Sequence, residues 1–228
     1  NAPLGLGFSI TAGSLLYYGY GVNNVVQESG VRLAKGESHT FTTKSILNVG
    51  DPVRIYGAVN LQEVDLSSFI SYIAQLTMTN VYDSVLGTRL KKLVLGVPST
   101  STLTNTSLSE ISGLSSAQKL EYLDIGGYMG LTDLDLSSLS YFKTLKAFNS
   151  GLTSLTLAQG GPVEYLELPA SLHNIVLSNL PNLTTANLKF SGYSSIQTLV
   201  LDTLPGVDIY NIAKQAYAGG NMTHVRLV

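Results

Sequence analysis

Side chains able to carry acid–base, nucleophilic or metal chemistry are few in this chain and lie far apart. None of the three histidines, His39, His173 and His224, has a second His, Asp or Glu four residues away. That is the spacing that would set two metal ligands on one helix face. Asp124, Asp133 and Asp135 are close in sequence. Asp133 and Asp135, however, alternate onto one strand face and Asp124 belongs to another strand, which does not make a calcium loop. Gly5-Leu-Gly-Phe8 and Gly19-Tyr-Gly-Val22 lack the Lys-Ser/Thr pair of a phosphate loop, and no Gly-x-Ser-x-Gly elbow occurs. Cysteine is absent, so there is no thiol nucleophile, disulfide framework or thiolate zinc site. The expectation is a chain that is not an enzyme, with no catalytic residues, no metal and no cofactor.

The chemistry left to consider is recognition by a surface. Charged residues make up only 12% of the 228 residues and the net charge is −2. The densest positive spot, Lys91-Lys92, falls far short of a stripe that tracks phosphates, so nucleic acid is not an expected partner. No run of 18 apolar residues exists, and no membrane span is expected. Ser, Thr, Asn and Gly supply most of the polarity, which suits an extracellular protein or a subunit of a large assembly. The opening Asn1-Ala2-Pro3-Leu4 has neither a start methionine nor a signal-peptide pattern. It reads as the start of a segment of a longer protein, of a processed form, or of a trimmed chain.

The elements that must position such a surface show as an internal repeat: apolar, two variable residues, apolar, one variable, apolar. It runs Leu61-Gln-Glu-Val64-Asp-Leu66, Ile73-Ala-Gln-Leu76-Thr-Met78 and Leu90-Lys-Lys-Leu93-Val-Leu95. It resumes at Leu120-Glu-Tyr-Leu123-Asp-Ile125 and Leu131-Thr-Asp-Leu134-Asp-Leu136, then at Leu145-Lys-Ala-Phe148 and Leu152-Thr-Ser-Leu155-Thr-Leu157. Val163-Glu-Tyr-Leu166-Glu-Leu168, Leu172-His-Asn-Ile175-Val-Leu177 and Leu183-Thr-Thr-Ala186-Asn-Leu188 follow. Ile196-Gln-Thr-Leu199-Val-Leu201 and Met222-Thr-His-Val225-Arg-Leu227 end the series. Two apolar residues spaced by one share a strand face. The copies alternate between two kinds, and starts of one kind at 131, 152, 172 and 196 are 21, 20 and 24 residues apart. A coil of that length holds two short strands and two turns, with no room for a long helix.

The stretch from Leu168-Pro-Ala-Ser-Leu172 through Leu177-Ser-Asn-Leu180 to Leu188 resembles the leucine-rich repeats of the bacterial surface-antigen type, which also occur in phage virion proteins. The resemblance covers about 60 to 228. It implies a β-rich α/β solenoid whose leucine-rich-repeat coils hold two short strands per turn. It also implies an extracellular, cell-surface or virion protein that binds other proteins. One departure stands out. The asparagine many such repeats place nine residues in is replaced by Phe69, Leu139, Leu180 and Leu204, so apolar packing must hold that turn.

Residues 1–57 carry no repeat and alternate short β-rich runs with turn signals. They form either a small antiparallel cap or a docking unit, ahead of a repeat region at 58–228. Between Leu95 and Leu120 the frame breaks into a polar run, an insertion of about 96–119 read as a surface loop or a partner contact. Asp208 caps a helix through Ala218 that Gly219-Gly220 ends, with a last strand after Met222.

Stacked coils would set one kind of copy side by side at about 4.8 Å. Glu121, Tyr122 and Asp124 would stand beside Lys146 and Asn149, then Glu164, Tyr165 and Glu167, then Thr184, Thr185 and Asn187. The candidate binding residues are Tyr122, Asp124, Lys146, Asn149, Tyr165, Glu167 and Asn187. The competing reading is cross-strand charge pairing alone. Together these features imply a non-enzymatic interaction or structural module. Its partners would be neighbouring subunits of a large assembly or a host receptor. The alternative is a glycan-binding adhesin with Tyr122 and Tyr165 as stacking platforms.

Overall fold

The computed structural model describes residues 1–78 and 89–228. Valine-, leucine- and threonine-rich runs, broken by Gly, Asn and Ser, form short strands throughout. The leader holds β1 (Gly7–Ala12), β2 (Leu16–Val22), β3 (Val25–Leu33), β4 (Ser38–Thr42) and β5 (Val53–Tyr56). Then come β6 (Leu61–Asp65), β7 (Leu76–Thr77), β8 (Lys92–Val94), β9 (Ile111–Ser112), β10 (Tyr122–Asp124) and β11 (Asp133–Leu136). They are followed by β12 (Thr144–Lys146), β13 (Ser154–Leu157), β14 (Tyr165–Leu168), β15 (Asn174–Ser178), β16 (Leu188–Phe190) and β17 (Thr198–Asp202). Helix α1 (Ile209–Ala218) and strand β18 (His224–Leu227) complete the order.

From β6 to β17 successive strands alternate between sheets. The even-numbered strands β6 to β16 lie side by side and parallel in an eight-stranded mixed sheet. Strands β11, β13, β15 and β17 form a second, parallel sheet that β18 extends, and β7 pairs with β9. The large sheet runs from β16 to β4 without closing into a barrel. Strands of two to five residues, as these are from β6 onward, have little stability alone. Each turns one face inward, and the inward leucines and isoleucines of both sheets join one apolar cluster. Burying one such side chain stabilises by about 2 kcal/mol.

The leader is tied into this arrangement. Strand β1 lies antiparallel between β6 and β4, so it covers the edge that β6 would otherwise leave open. Strands β3, β2 and β5 form a separate antiparallel sheet. Phe8 stands 5.4 Å from Tyr20, 5.3 Å from Phe41 and 6.1 Å from Phe69, ring centre to ring centre. Phe69 follows β6, so both the sheet pairing and this aromatic packing cross the boundary expected near residue 57.

Two sequence expectations are corrected. The segment 96–119 is not a surface loop: Leu108, Ile111, Leu114 and Ala117 are buried, and β9 pairs with β7 through Leu76 beside Ile111. It is organised by Asn105, which is itself buried. Its amide donates to the carbonyls of Ile70 and Ile73, and its Oδ1 accepts from the backbone of Ser107 and Leu108. The frame read as Leu145-Lys-Ala-Phe148 is also displaced. Leu145 pairs with Leu123 on one side and Leu166 on the other, so the inward residues are Phe142, Leu145 and Ala147. The turns leave no room for side chains where neighbouring segments touch; a Cβ on Gly151 would lie 2.1 Å from the Met129 carbonyl.

Helix α1 has the expected bounds. Asp208 Oδ1 accepts from Asn211 N at 3.0 Å, and Ile212, Ala213 and Ala216 face the core.

Asn105 and Tyr128 make opposite predictions. Asn105→Ala strands buried carbonyl and amide groups and is expected to cost about 2–4 kcal/mol of unfolding free energy. Tyr128 is fully buried and its hydroxyl has no hydrogen-bond partner among the described residues. Tyr128→Phe is therefore expected to be neutral or to stabilise by about 1 kcal/mol. Urea unfolding of the two variants checks both.

Candidate functional site

The outward face of the eight-stranded sheet gathers residues into rows, because alternate side chains of stacked parallel strands repeat at each strand. One row follows the register Glu63, Lys92, Tyr122, Thr144, Tyr165. A second runs Asp65, Val94, Asp124, Lys146, Glu167, Lys189. A third, just before the strands, places Lys91, Glu121 and Lys143 together. Glu121 meets Lys91 at 3.3 Å and Lys143 at 2.9 Å.

Of the seven sequence-derived residues, the structure brings together Tyr122, Asp124, Lys146, Tyr165 and Glu167. The ammonium groups of Lys92 and Lys146 stand 5.3 and 5.9 Å from the Tyr122 ring centre. Lys189 stands 5.1 Å from that of Tyr165, whose hydroxyl donates to Glu167 Oε1. These are cation–π distances. Asn149 does not join the rows; it sits exposed in the turn after β12 with φ 53°. Asn187 lies in the turn before β16, because Leu188 pairs with Leu166 and puts Lys189 beside Glu167.

Glu63, Lys92, Lys143, Thr144 and Lys189 belong to the surface and were missed. The displaced frames at Phe142 and Leu188 hid three of them. The signal that could have found them is the alternation Lys91, Glu121, Lys143, Glu164 one residue after each first apolar position. At the leader end the rows run into a shallow cavity of about 200 Å³ bordered by Thr11, Ser38, Glu63, Asp65 and Lys92.

The charges are not equivalent. The hydrogen bond from Lys143 holds the Glu121 carboxyl below the usual glutamate range; burial opposes this, and Lys91 adds to the lowering. Burial pushes Asp124 up, against the Gly126 amide that its Oδ1 accepts at 3.0 Å and against the charge of Lys146. Burial pulls Lys146 down, and Tyr122, Glu167 and Asp124 together outweigh it, so the ammonium is held above its ordinary range. The arrangement presents amphipathic rings flanked by ammonium and carboxylate groups. Among the described residues no group of three or more His, Asp or Glu side chains could hold a metal ion. No helix there is long and apolar enough to cross a membrane.

Comparison with family models, curated proteins and solved structures finds no match to this chain.

Glu121, with its lowered value, contributes stability that is present above the unfolded glutamate range and is lost as pH falls through the folded value. Glu121→Gln is thus expected to lower the urea midpoint near neutral pH and to flatten the loss of stability below about pH 4.5. Asp124 has the opposite sign: its cost is present when it is ionised and is relieved on acidification. Asp124→Asn keeps the acceptor for Gly126 and is expected to leave the neutral-pH midpoint unchanged or higher. Unfolding curves across pH decide between these outcomes and a common response of both variants.

Proposed function

We propose that the chain is a leucine-rich-repeat-type solenoid that serves as a protein-binding or scaffolding module outside the cell. In this reading the outward face of the large sheet is the contact surface. The strict alternation of β6 to β17 between sheets and the in-register leucine rows support the solenoid reading. The observation that carries the binding reading is the pair of tyrosines with one strand, β12, between them. Each is fixed by ammonium groups of its neighbours, as Lys92 and Lys146 flank Tyr122 and Lys189 flanks Tyr165. Ordered aromatic anchors in a mixed-charge setting are what protein interfaces concentrate.

The partner in this reading is a neighbouring subunit of a large assembly or a host-surface protein. The low charge and the β-rich leader favour a phage particle over a bacterial surface. A stacked sugar is the weaker reading, since it would have to displace a lysine from each ring.

The cysteine-free sequence gives a direct test. A photoreactive label on Thr144→Cys, between the two tyrosines, is expected to yield one discrete protein adduct in the cells or particles that make this chain. Combining it with Tyr122→Ala and Tyr165→Ala is expected to reduce the adduct about tenfold or more. The same label on Glu110→Cys, an exposed position beside the separate two-stranded sheet, is expected to give none. No adduct at 144, or equal adducts at both sites, would overturn the proposal.

A further inference from the structure

The outward face of the large sheet alternates in charge from strand to strand. Strand β6 carries Glu63 and Asp65, and β8 carries Lys92 with Lys91 just ahead of it. Strand β10 carries Asp124 with Glu121 ahead of it, and β12 carries Lys146 with Lys143 ahead of it. Strand β14 carries Glu167 with Glu164 ahead of it, and β16 carries Lys189. From β6 to β16 the signs run minus, plus, minus, plus, minus, plus, and none of these strands mixes them. The backbone bonds from Glu121 N to Lys91 O, Lys143 N to Glu121 O and Glu164 N to Lys143 O set the charges ahead of the strands in one row.

Within the chain this alternation is only partly used. Glu121 meets Lys91 and Lys143, and Glu63 meets Lys92 at 3.6 Å. Among the described residues Asp124, Lys146, Glu164, Glu167 and Lys189 make no ion pair. The Lys91 and Lys143 side chains stay 49% and 39% exposed, and Glu164 is exposed. An ammonium group has three donors, so each of these lysines can take a further carboxylate.

An order that begins with minus from one end begins with plus from the other, so this face is complementary to itself when turned round. We propose that its partner is a second copy of this chain, packed face to face about a two-fold axis that runs along the strands between β10 and β12. This rests on the outward face being the contact surface and names its occupant. Lys91 then faces the partner's Glu164, Glu121 the partner's Lys143, Asp124 the partner's Lys146 and Asp65 the partner's Lys189, each contact occurring twice by symmetry. Lys92 meets the ring of the partner's Tyr165. No like charges meet. An axis on β10 would set Glu121 against itself, and an axis across the strands would set Glu121 against Asp124 and Lys143 against Lys146. An axis between other strands keeps the match of signs but covers fewer strands. The charge pairs fix the register and the tyrosines supply the buried anchors. A partner of uniform charge or a neutral glycan would leave charges of this face desolvated without a counter-charge.

The test mixes two variants of the intact chain and reads self-association by sedimentation equilibrium. The wild-type chain is expected to dimerise reversibly. Lys91→Glu brings two carboxylates together at both copies of the contact with the partner's Glu164, and Glu164→Lys brings two ammonium groups together at both copies of the contact with the partner's Lys91. Each alone is expected to weaken dimerisation about tenfold or more. Mixed in equal amounts, the two are expected to form a heterodimer within about threefold of the wild-type strength, because both contacts again join opposite charges. Mixing cannot repair a charge clash inside either chain, so the rescue separates contact between copies from pairing within one. Lys214→Glu, an exposed change on α1, is expected to leave dimerisation unchanged. A wild-type chain that stays monomeric up to about 1 mM, single variants that dimerise as well as the wild type, or a mixture no stronger than its components would overturn the inference. A photoreactive label at 144 that then joins a different protein would keep the binding reading and exclude the second copy.

Discussion

A strand's side chains alternate between faces, so a slip of one residue would turn every inward side chain outward. In the large sheet the row Leu93, Leu123, Leu145, Leu166, Leu188 is buried and in register from strand to strand. Each leucine contributes about 2 kcal/mol by burial, against a few tenths for an exposed charge pair across strands. The leucines therefore decide the register, and the outward residues take the neighbours that register assigns. Tyr122 between Lys92 and Lys146, and Glu167 between Lys146 and Lys189, follow from leucine burial rather than from charge attraction.

The same constraint explains where the structure departs from uniform stacking. In segment 96–119 the position two after Ile111 is Gly113 rather than an apolar residue, and Asn105 ties the segment to the carbonyls of Ile70 and Ile73 by hydrogen bonds. Strands β13 and β15 keep their inward leucines but lose the backbone ladder, which leaves Leu155 half-covered. Tyr128 shows the cost of irregularity: its ring fills the core while its hydroxyl finds no partner among the described residues, and burial raises its pKa above the usual tyrosine range.

The apolar frame, the two alternating strand types, the antiparallel leader and the terminal helix were legible in the sequence, because each rests on residues a few positions apart. The frame slipped where two choices share the same apolar residues. Leu145 fits equally as a first or a second position, and only its pairing with Leu123 and Leu166 makes Phe142 the inward residue. The same ambiguity moved Lys189 out of the expected surface and Asn187 into it. Asn105 was unreadable for a different reason: its four bonds reach residues up to 35 positions away, and a polar run gives no sign of burial. The interrupted ladder between β13 and β15 leaves no sequence mark either, since Leu155 and Leu157 keep the repeat.

The central claim is that inward apolar burial sets the register and thereby the composition of the outward face. Comparing the unfolding free energies of Phe142→Ala and Phe148→Ala tests it most directly, because the two residues compete for one inward position. With Phe142 buried and Phe148 half-buried, the account predicts a loss of about 3–5 kcal/mol for the first and clearly less for the second. A larger loss for Phe148→Ala would contradict it and would move Lys146 out of the row shared with Asp124 and Glu167.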